Sequence, residues 1–211
     1  MKKSYGKNRV LEEINLSLEQ GEFVLISGKS GCGKSTLLNI IGLLDKFDKG
    51  EYIFNGVNVF KGFGVRERIR AYDIGFVFQS YCLLDNLSVK DNVLMPLFYN
   101  NTRINKECMN TMERYFEVFG LSKLRNTKVK YLSGGEKQRT AIVRAIVKNP
   151  ALVVADEPTG NLDPINSKII YKELGKLTEL GKSVLVVTHN KDVFKNVCSK
   201  YKIEDGKIID D

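Results

Sequence analysis

The feature that most constrains this chain is an apolar run, Phe23-Val24-Leu25-Ile26-Ser27, leading into Gly28-Lys29-Ser30-Gly31-Cys32-Gly33-Lys34-Ser35-Thr36 and then Leu37-Leu38-Asn39-Ile40-Ile41. The first run reads as a buried strand, and a helix is expected from about Lys34. The loop between them fits GxxxxGK[ST]. Its glycines let the backbone turn tightly, so that several N–H groups converge on phosphate oxygens. The helix beyond presents its positive end to the same anion. Lys34 can reach the β- and γ-phosphates of a nucleotide, and the Ser35 hydroxyl can ligate Mg²⁺. Cys32 lies in the loop just before a helix N-terminus, so it could be reactive, with an inert thiol the equal alternative.

The remaining pattern completes an α/β chain. Val10–Leu18 partly alternates apolar with polar, Tyr52–Phe54 and Val57–Val59 flank the turn Asn55-Gly56, and Ile74–Phe78 is a further strand candidate. From Gln79 to about Pro150 the signal turns helical, at Asp91–Leu97, Lys106–Phe119 and Glu136–Lys148. Strands return at Ala151–Ala155 and Ser183–Thr188 around a helix at Ile165–Leu180, and a pair about Asp205-Gly206 closes the chain. Alternating strands and helices predict a largely parallel sheet, with a helical lobe inserted into it. The expected division is 1–79 with 151–211 as a nucleotide-binding core and 80–150 as the lobe.

Lys and Arg outnumber Asp and Glu by 33 to 25, a net +8 spread without a long basic block. Solubility and phosphate handling account for this without a nucleic-acid partner. The four cysteines, Cys32, Cys82, Cys108 and Cys198, form no CxxC pair, so reduced thiols are expected. The longest apolar run, Leu37–Leu44, is far short of a membrane span. A membrane role must therefore come through a partner.

Two further stations carry chemistry. Leu152-Val153-Val154-Ala155 ends in Asp156 and Glu157. By themselves two acids after a strand are mostly a turn or a helix cap; beside a phosphate loop, one can serve Mg²⁺ and the other polarise water. The single histidine, His189, follows another strand end, where ligands collect in parallel sheets. Leu132-Ser133-Gly134-Gly135-Glu136 opens a helix with a hydroxyl, two glycines and free N–H groups, a second place for an anion.

In this order the motifs resemble the ATP-binding-cassette (ABC) ATPases over essentially the whole chain: Walker A (Gly28–Ser35), a Q-loop glutamine (Gln79), the signature (Leu132–Glu136), Walker B (Leu152–Glu157), a D-loop (Asn161-Leu162-Asp163) and a switch histidine (His189). The resemblance implies a P-loop NTPase (RecA-like) core, an N-terminal antiparallel β subdomain and an inserted α-helical signature subdomain. It implies ATP and Mg²⁺, with nucleotide contacts at Tyr5 (the adenine-stacking position), Gly28, Lys29, Ser30, Gly31, Cys32, Gly33, Lys34, Ser35, Thr36 and Asp163. Mg²⁺ would be served by Ser35, Gln79 and Asp156. Glu157 would act as general base, His189 would hold the γ-phosphate, and Gln79 would sense the metal and a transport subunit. A second copy of the chain would dimerise head to tail, so that Ser133, Gly134, Gly135 and Glu136 face the partner's nucleotide.

Phe76–Gln79, Leu83–Val89, Asp91-Asn92-Val93 and Asp156–Asp163 are similar to the branch of macrolide-exporter, lipoprotein-releasing and bacteriocin-export ATPases. An integral-membrane permease is the implied partner, at the cytoplasmic face of the membrane, with Tyr81, Leu83, Leu84 and Leu87 as candidate contacts. The Lys- and Asn-rich composition favours peptide export within that branch. Departures from the pattern are Cys32 for Ser, Asn190 for Asp and the basic stretch Lys61–Arg70. The rival is an ABC-type ATPase acting on nucleic acid or ribosomes. Translation-factor members carry two cassettes and DNA-repair members carry coiled coils or zinc inserts, and this sequence has neither.

Overall fold

The computed structural model describes residues 1–99, 104–189 and 199–210; Asn190 and Cys198 lie outside these. A hairpin of β1 (Lys3–Tyr5) and β2 (Asn8–Leu11) opens the chain, followed by β3 (Phe23–Gly28) and α1 (Lys34–Ile41). A short hairpin, β4 (Ile53–Phe54) and β5 (Val57–Asn58), leads to α2 (Val65–Tyr72) and β6 (Ile74–Val77). Three helices come next: α3 (Val89–Tyr99), α4 (Lys106–Val118) and α5 (Gly134–Ile146). Then β7 (Leu152–Asp156), α6 (Pro164–Glu179), β8 (Ser183–Val187), β9 (Ser199–Glu204) and β10 (Lys207–Asp210) complete the order.

Six strands form the central sheet in the order β10-β9-β3-β8-β7-β6, parallel except for the β9–β10 pair. Its inner strands β3, β8 and β7 are buried almost throughout because both faces are covered. Phe23 and Leu25 join one core with Val77, Val153 and Val184, and with the lobe residues Met112, Phe116 and Ile142. Val24 and Ile26, pointing the other way, join Leu37, Leu38 and Ile40 of α1 and Ile69 of α2. The lobe thus shares a core with one face of the sheet. No helix among the described residues is long and apolar enough to cross a membrane.

Two local expectations change. The strand that enters Val10–Leu18 stops at Leu11, because successive backbone groups then find different partners. Glu12 donates to the Gly206 carbonyl at 2.8 Å, Glu13 bridges Lys207, and Ile14 donates to the Met1 carbonyl at 3.0 Å. Ile14 is buried and Leu16 and Leu18 half-buried, so the apolar alternation persists without a ladder. The second half of the basic stretch lies in the helix α2, which runs on to Tyr72 and of which only Ile69 is buried.

Candidate functional site

Parallel strands deliver their carboxyl ends to one edge, where Gly28 at the end of β3 lies beside Ile203 of β9, and Ile26 beside Val187 of β8. Residues 29–33 turn there into α1, whose N-cap Gly33 has φ 101° and offers no side-chain cap. The first N–H groups of α1 are thus left for an anion, with no acid in its first turn to oppose one. A Cβ at Gly28 would lie 2.7 Å from the Ile203 carbonyl oxygen, so the loop sits directly on β9. Lys34 is buried, its Nζ donating to the Gly28 and Lys29 carbonyls at 2.8 Å each. An ammonium carries three donors, which leaves one for a phosphate oxygen.

Across the edge, the Ser35 hydroxyl donates to Asp156 Oδ1 at 3.4 Å. Burial raises the Asp156 pKa, as does neighbouring Glu157, while Ser35 and Lys34 pull it back. A cation there would relieve that cost. A hydroxyl and a single carboxylate suit Mg²⁺, which keeps waters and phosphate oxygens as its other ligands. Among the described residues no group of three or more His, Cys, Asp or Glu is placed to hold a metal.

Strand β7 ends at Asp156, and Glu157 takes a left-handed φ of 43°, unusual for a non-glycine residue and of the kind that clusters at functional sites. This turn sends the two acids to different partners. Glu157 Oε1 lies 3.0 Å from His189 Nδ1, and Thr188 donates to Oε2 at 3.0 Å. The carboxylate is largely buried (14% exposed) while the imidazole is 67% exposed. His189 therefore turns one nitrogen to the acid and has Nε2 left for a ligand.

Gln79 follows β6 and leans on the segment after Glu157. Asn161 donates to its carbonyl at 3.0 Å, and a Cβ at Gly160 would meet its side-chain nitrogen at 2.8 Å. Beyond it Tyr81 and Cys82 are both left-handed, and Arg144 of α5 donates to both their carbonyls. Leu83 packs on the lobe core, while Leu84 and Leu87 are exposed.

Ser133 caps α5 in a reciprocal capping box: Glu136 Oε2 accepts from the Ser133 N–H at 2.7 Å and from its hydroxyl at 2.8 Å. Around Gly134 the nearest side chains are Leu162 and Tyr81, and around Gly135 they are Asn166 and Arg139. Asp163 caps α6 by accepting from the Ile165 and Asn166 N–H groups; the Asn166 side chain is the chief cause of its lowered pKa, with those N–H groups adding to it. The structure thus brings residues 28–36, Asp156, Glu157 and His189 together. It gathers Ser133–Glu136 with Asp163 in a second place, and Gln79 lies against the chain that joins them.

Tyr5 sits in the N-terminal hairpin, half exposed, its phenol donating to Asp45, with Lys3 Nζ 4.7 Å from the ring centroid. The Asp45 hydrogen bond is the chief cause of its raised pKa. Sequence reasoning missed Arg144, Tyr171 and the role of Thr188, because long-range hydrogen bonds leave no periodic trace.

The sequence pattern of the family described as "ABC transporter" matches residues 11–160. The chain is 42% identical over 212 aligned positions to the uncharacterised ABC transporter ATP-binding protein YvrO of Bacillus subtilis, covering 98% of this chain and 92% of that one. It is 39% identical to the macrolide export ATP-binding/permease protein MacB of Campylobacter jejuni, covering 99% of this chain but only 33% of MacB. Among solved structures, the dimeric cassette MJ0796, determined also in a post-hydrolysis state with ADP and Pi, superposes with a TM-score of 0.82 at 35% identity, over 98% of this chain and 93% and 92% of the two MJ0796 chains. The chain therefore belongs to the ABC transporter family, as one of its ATP-binding cassettes.

Proposed function

We propose that this cassette binds ATP with Mg²⁺ and hydrolyses it as half of a head-to-tail dimer, driving export through a separate membrane permease. The observation that carries the reading is the separation of two anion-binding helix starts on one chain. Glu157 and His189 stand beside the first, at α1. The second, at α5, is surrounded by Tyr81, Leu162 and Asn166 rather than by the glycine loop. A second copy supplies the missing half of each site, an isologous arrangement in which both ATPs are sandwiched.

On this reading the loop N–H groups and Lys34 hold the β- and γ-phosphates. Ser35 and Asp156 would hold Mg²⁺, with Gln79 reporting on it, and the ion would neutralise phosphate charge. Glu157, fixed at both oxygens, takes a proton from the water that attacks the γ-phosphorus as the bond to the β–γ bridging oxygen breaks. His189 contacts the γ-phosphate, and Ser133, Gly134 and Gly135 of the other copy clamp it. The Ser133 hydroxyl must then turn from Glu136 to the phosphate. Asp163 orders the start of α6 beside that clamp, and Tyr5 offers its ring for the adenine to stack on.

The division into a core (1–79 and 151–211) and a lobe (80–150) gives this machine its moving parts. Where they meet, a groove of about 300 Å³ opens beside the Gln79 segment rather than over the glycine loop. Phe76 and Phe78, stacked at 4.2 Å, lie on it together with Arg70, Arg144 and Lys148. A permease segment docking there, with Leu84 and Leu87 nearby, would hold the cassette at the cytoplasmic face of the membrane. Cargo choice then lies with the permease, since the groups at the site serve phosphate, metal and water.

Glu157→Gln tests the site. ATP binding should survive and an ATP-dependent dimer should accumulate on gel filtration, with turnover reduced about 100-fold or more. Near-normal hydrolysis by this variant would overturn the assignment.

A further inference from the structure

The segment after Gln79 crosses from the sheet to the lobe without a ladder, and side chains from three parts of the fold take up its main-chain groups. Asn161, in the connection from β7 to α6, donates to the Gln79 carbonyl at 3.0 Å. Asn92, buried in α3, accepts from the Leu84 N–H at 2.8 Å and donates to the Leu84 carbonyl at 3.1 Å. Between them stands Arg144 of α5, half-buried. One of its terminal nitrogens donates to the Tyr81 carbonyl at 2.6 Å and the other to the Cys82 carbonyl.

What Arg144 grips is a strained turn. Tyr81 and Cys82 are left-handed in succession, with φ of 61° and 49°. The chain folds back tightly there, the Tyr81 N–H donating to the Phe78 carbonyl at 3.1 Å and the Cys82 N–H to the Ser80 carbonyl at 2.6 Å. Neither residue is a glycine or an asparagine, which enter this region at little cost. Such backbone persists only where its surroundings impose it. A planar guanidinium can hold two successive carbonyls at once, which the single point of charge on a lysine does less well. A tie that served stability alone could hold a relaxed loop equally well.

The turn touches both places that serve ATP. Gln79 lies just before it, its side-chain nitrogen against Gly160. The Tyr81 phenol oxygen is 3.4 Å from where a Cβ would sit on Gly134, in the signature that opens α5. Relaxed to ordinary backbone, the turn would shift Gln79 and draw Tyr81 away from Gly134 together.

We propose that Arg144 is a positioning residue for ATP hydrolysis, holding the Tyr81–Cys82 turn left-handed so that Gln79 and the signature stay placed for their nucleotides. The proposal rests on the reading that Gln79 and Ser133–Gly135 serve ATP. Arg144→Met, Arg144→Lys, Cys82→Gly and their combinations test it in the purified full chain. Arg144→Met should lower kcat about tenfold, the weight of one lost hydrogen bond from a charged group. A fluorescent ATP analogue should still bind within about twofold of the parent, because the glycine loop is held by β9 and α1 instead. Arg144→Lys keeps the charge but not the fork, and its kcat should fall between the two. Cys82→Gly alone should turn over near the parental rate. Added to Arg144→Met, it should bring kcat back to within about threefold of the parent, since glycine holds left-handed backbone without an outside grip. Should Arg144→Met fold poorly, the same rescue is scored in Arg144→Lys, whose stem still fills the space. An unchanged kcat in Arg144→Met overturns the proposal, as does a Cys82→Gly change that leaves kcat low whatever it does to Tm. If Gln79→Ala and Ser133→Arg are slow while Arg144→Met is not, the positioning role fails alone. Parental turnover in both of those variants removes the reading beneath it.

Discussion

Gly31 and Gly33 both hold left-handed backbone, with φ of 79° and 101°, yet their surroundings differ. A Cβ at Gly31 would meet nothing within 4 Å. At Gly33 it would lie 2.8 Å from Leu11 Cδ2 and 3.0 Å from the Val10 carbonyl oxygen, and that carbonyl belongs to β2 and cannot swing aside. Gly31→Ala should therefore cost the conformational penalty alone, about 1–2 kcal/mol, or roughly 2–8 °C in Tm for a chain of this size. Gly33→Ala adds the clash and tilts the first N–H groups of α1 away from the phosphate. It should lower Tm at least twice as far and weaken ATP-analogue binding more than about tenfold. Thermal denaturation and titration of the two variants check this; equal losses would mean that β2 does not brace the loop. The same scale explains why Cys32 is tolerated: its Sγ lies over Gly28, 2.7 Å from where a Cβ there would sit, and only a glycine at that position leaves the room.

Between elements, α5 and α6 each carry a buried polar side chain left without a full set of partners. Among the described residues, both side-chain polar atoms of buried Gln138 and one oxygen of Glu173 find no hydrogen-bond partner. Burial lifts the Glu173 pKa to about 7, with Arg139 and Lys176 holding it from rising further. Well below pH 4.5 the carboxyl is neutral folded and unfolded, so it costs nothing. Between that and about 7 the folded chain keeps a proton that the unfolded chain has lost, so stability falls as pH rises; above 7 the full cost stands. Glu173→Gln should thus stabilise more at pH 8 than at pH 5.5. The Tm difference from the parent should widen by about 4 °C or more, from roughly 2 kcal/mol of linkage. A pH-independent difference would place the titration elsewhere. Neither these buried groups nor the Thr159–Tyr171 hydrogen bond was legible in the sequence, whereas β3, β7, β8 and the glycine loop were. Those elements announce themselves by local runs and spacing. Arg144 and Tyr81 meet across 63 positions, and α2 has one buried residue to set a period. Leu11 ends its strand because of Gly206, which no local pattern near it could indicate.

At the scale of the whole molecule, the placing of Lys34 and Ser133 in separate neighbourhoods makes a demand that a single chain cannot meet. If each ATP lies between Lys34 of one copy and Ser133 of the other, two crippled chains can repair each other. Lys34→Ala removes the phosphate lysine but keeps a sound signature. Ser133→Arg puts a bulky cation where α5 begins, keeping a sound glycine loop. Homodimers of either variant have both sites broken, and each preparation alone should be nearly inactive. In a mixed dimer one site loses both groups, while the other joins an intact Lys34 to an intact Ser133. Random pairing of equal amounts makes half of all dimers mixed, each with one working site, so the mixture should recover about a quarter of parental turnover. Recovery should depend on total protein concentration, because it needs the dimer. An inactive mixture, with the dimer shown to form by light scattering, would mean that one intact site does not fire alone. Activity in pure Ser133→Arg would remove the signature from the site, and with it the requirement for a second copy.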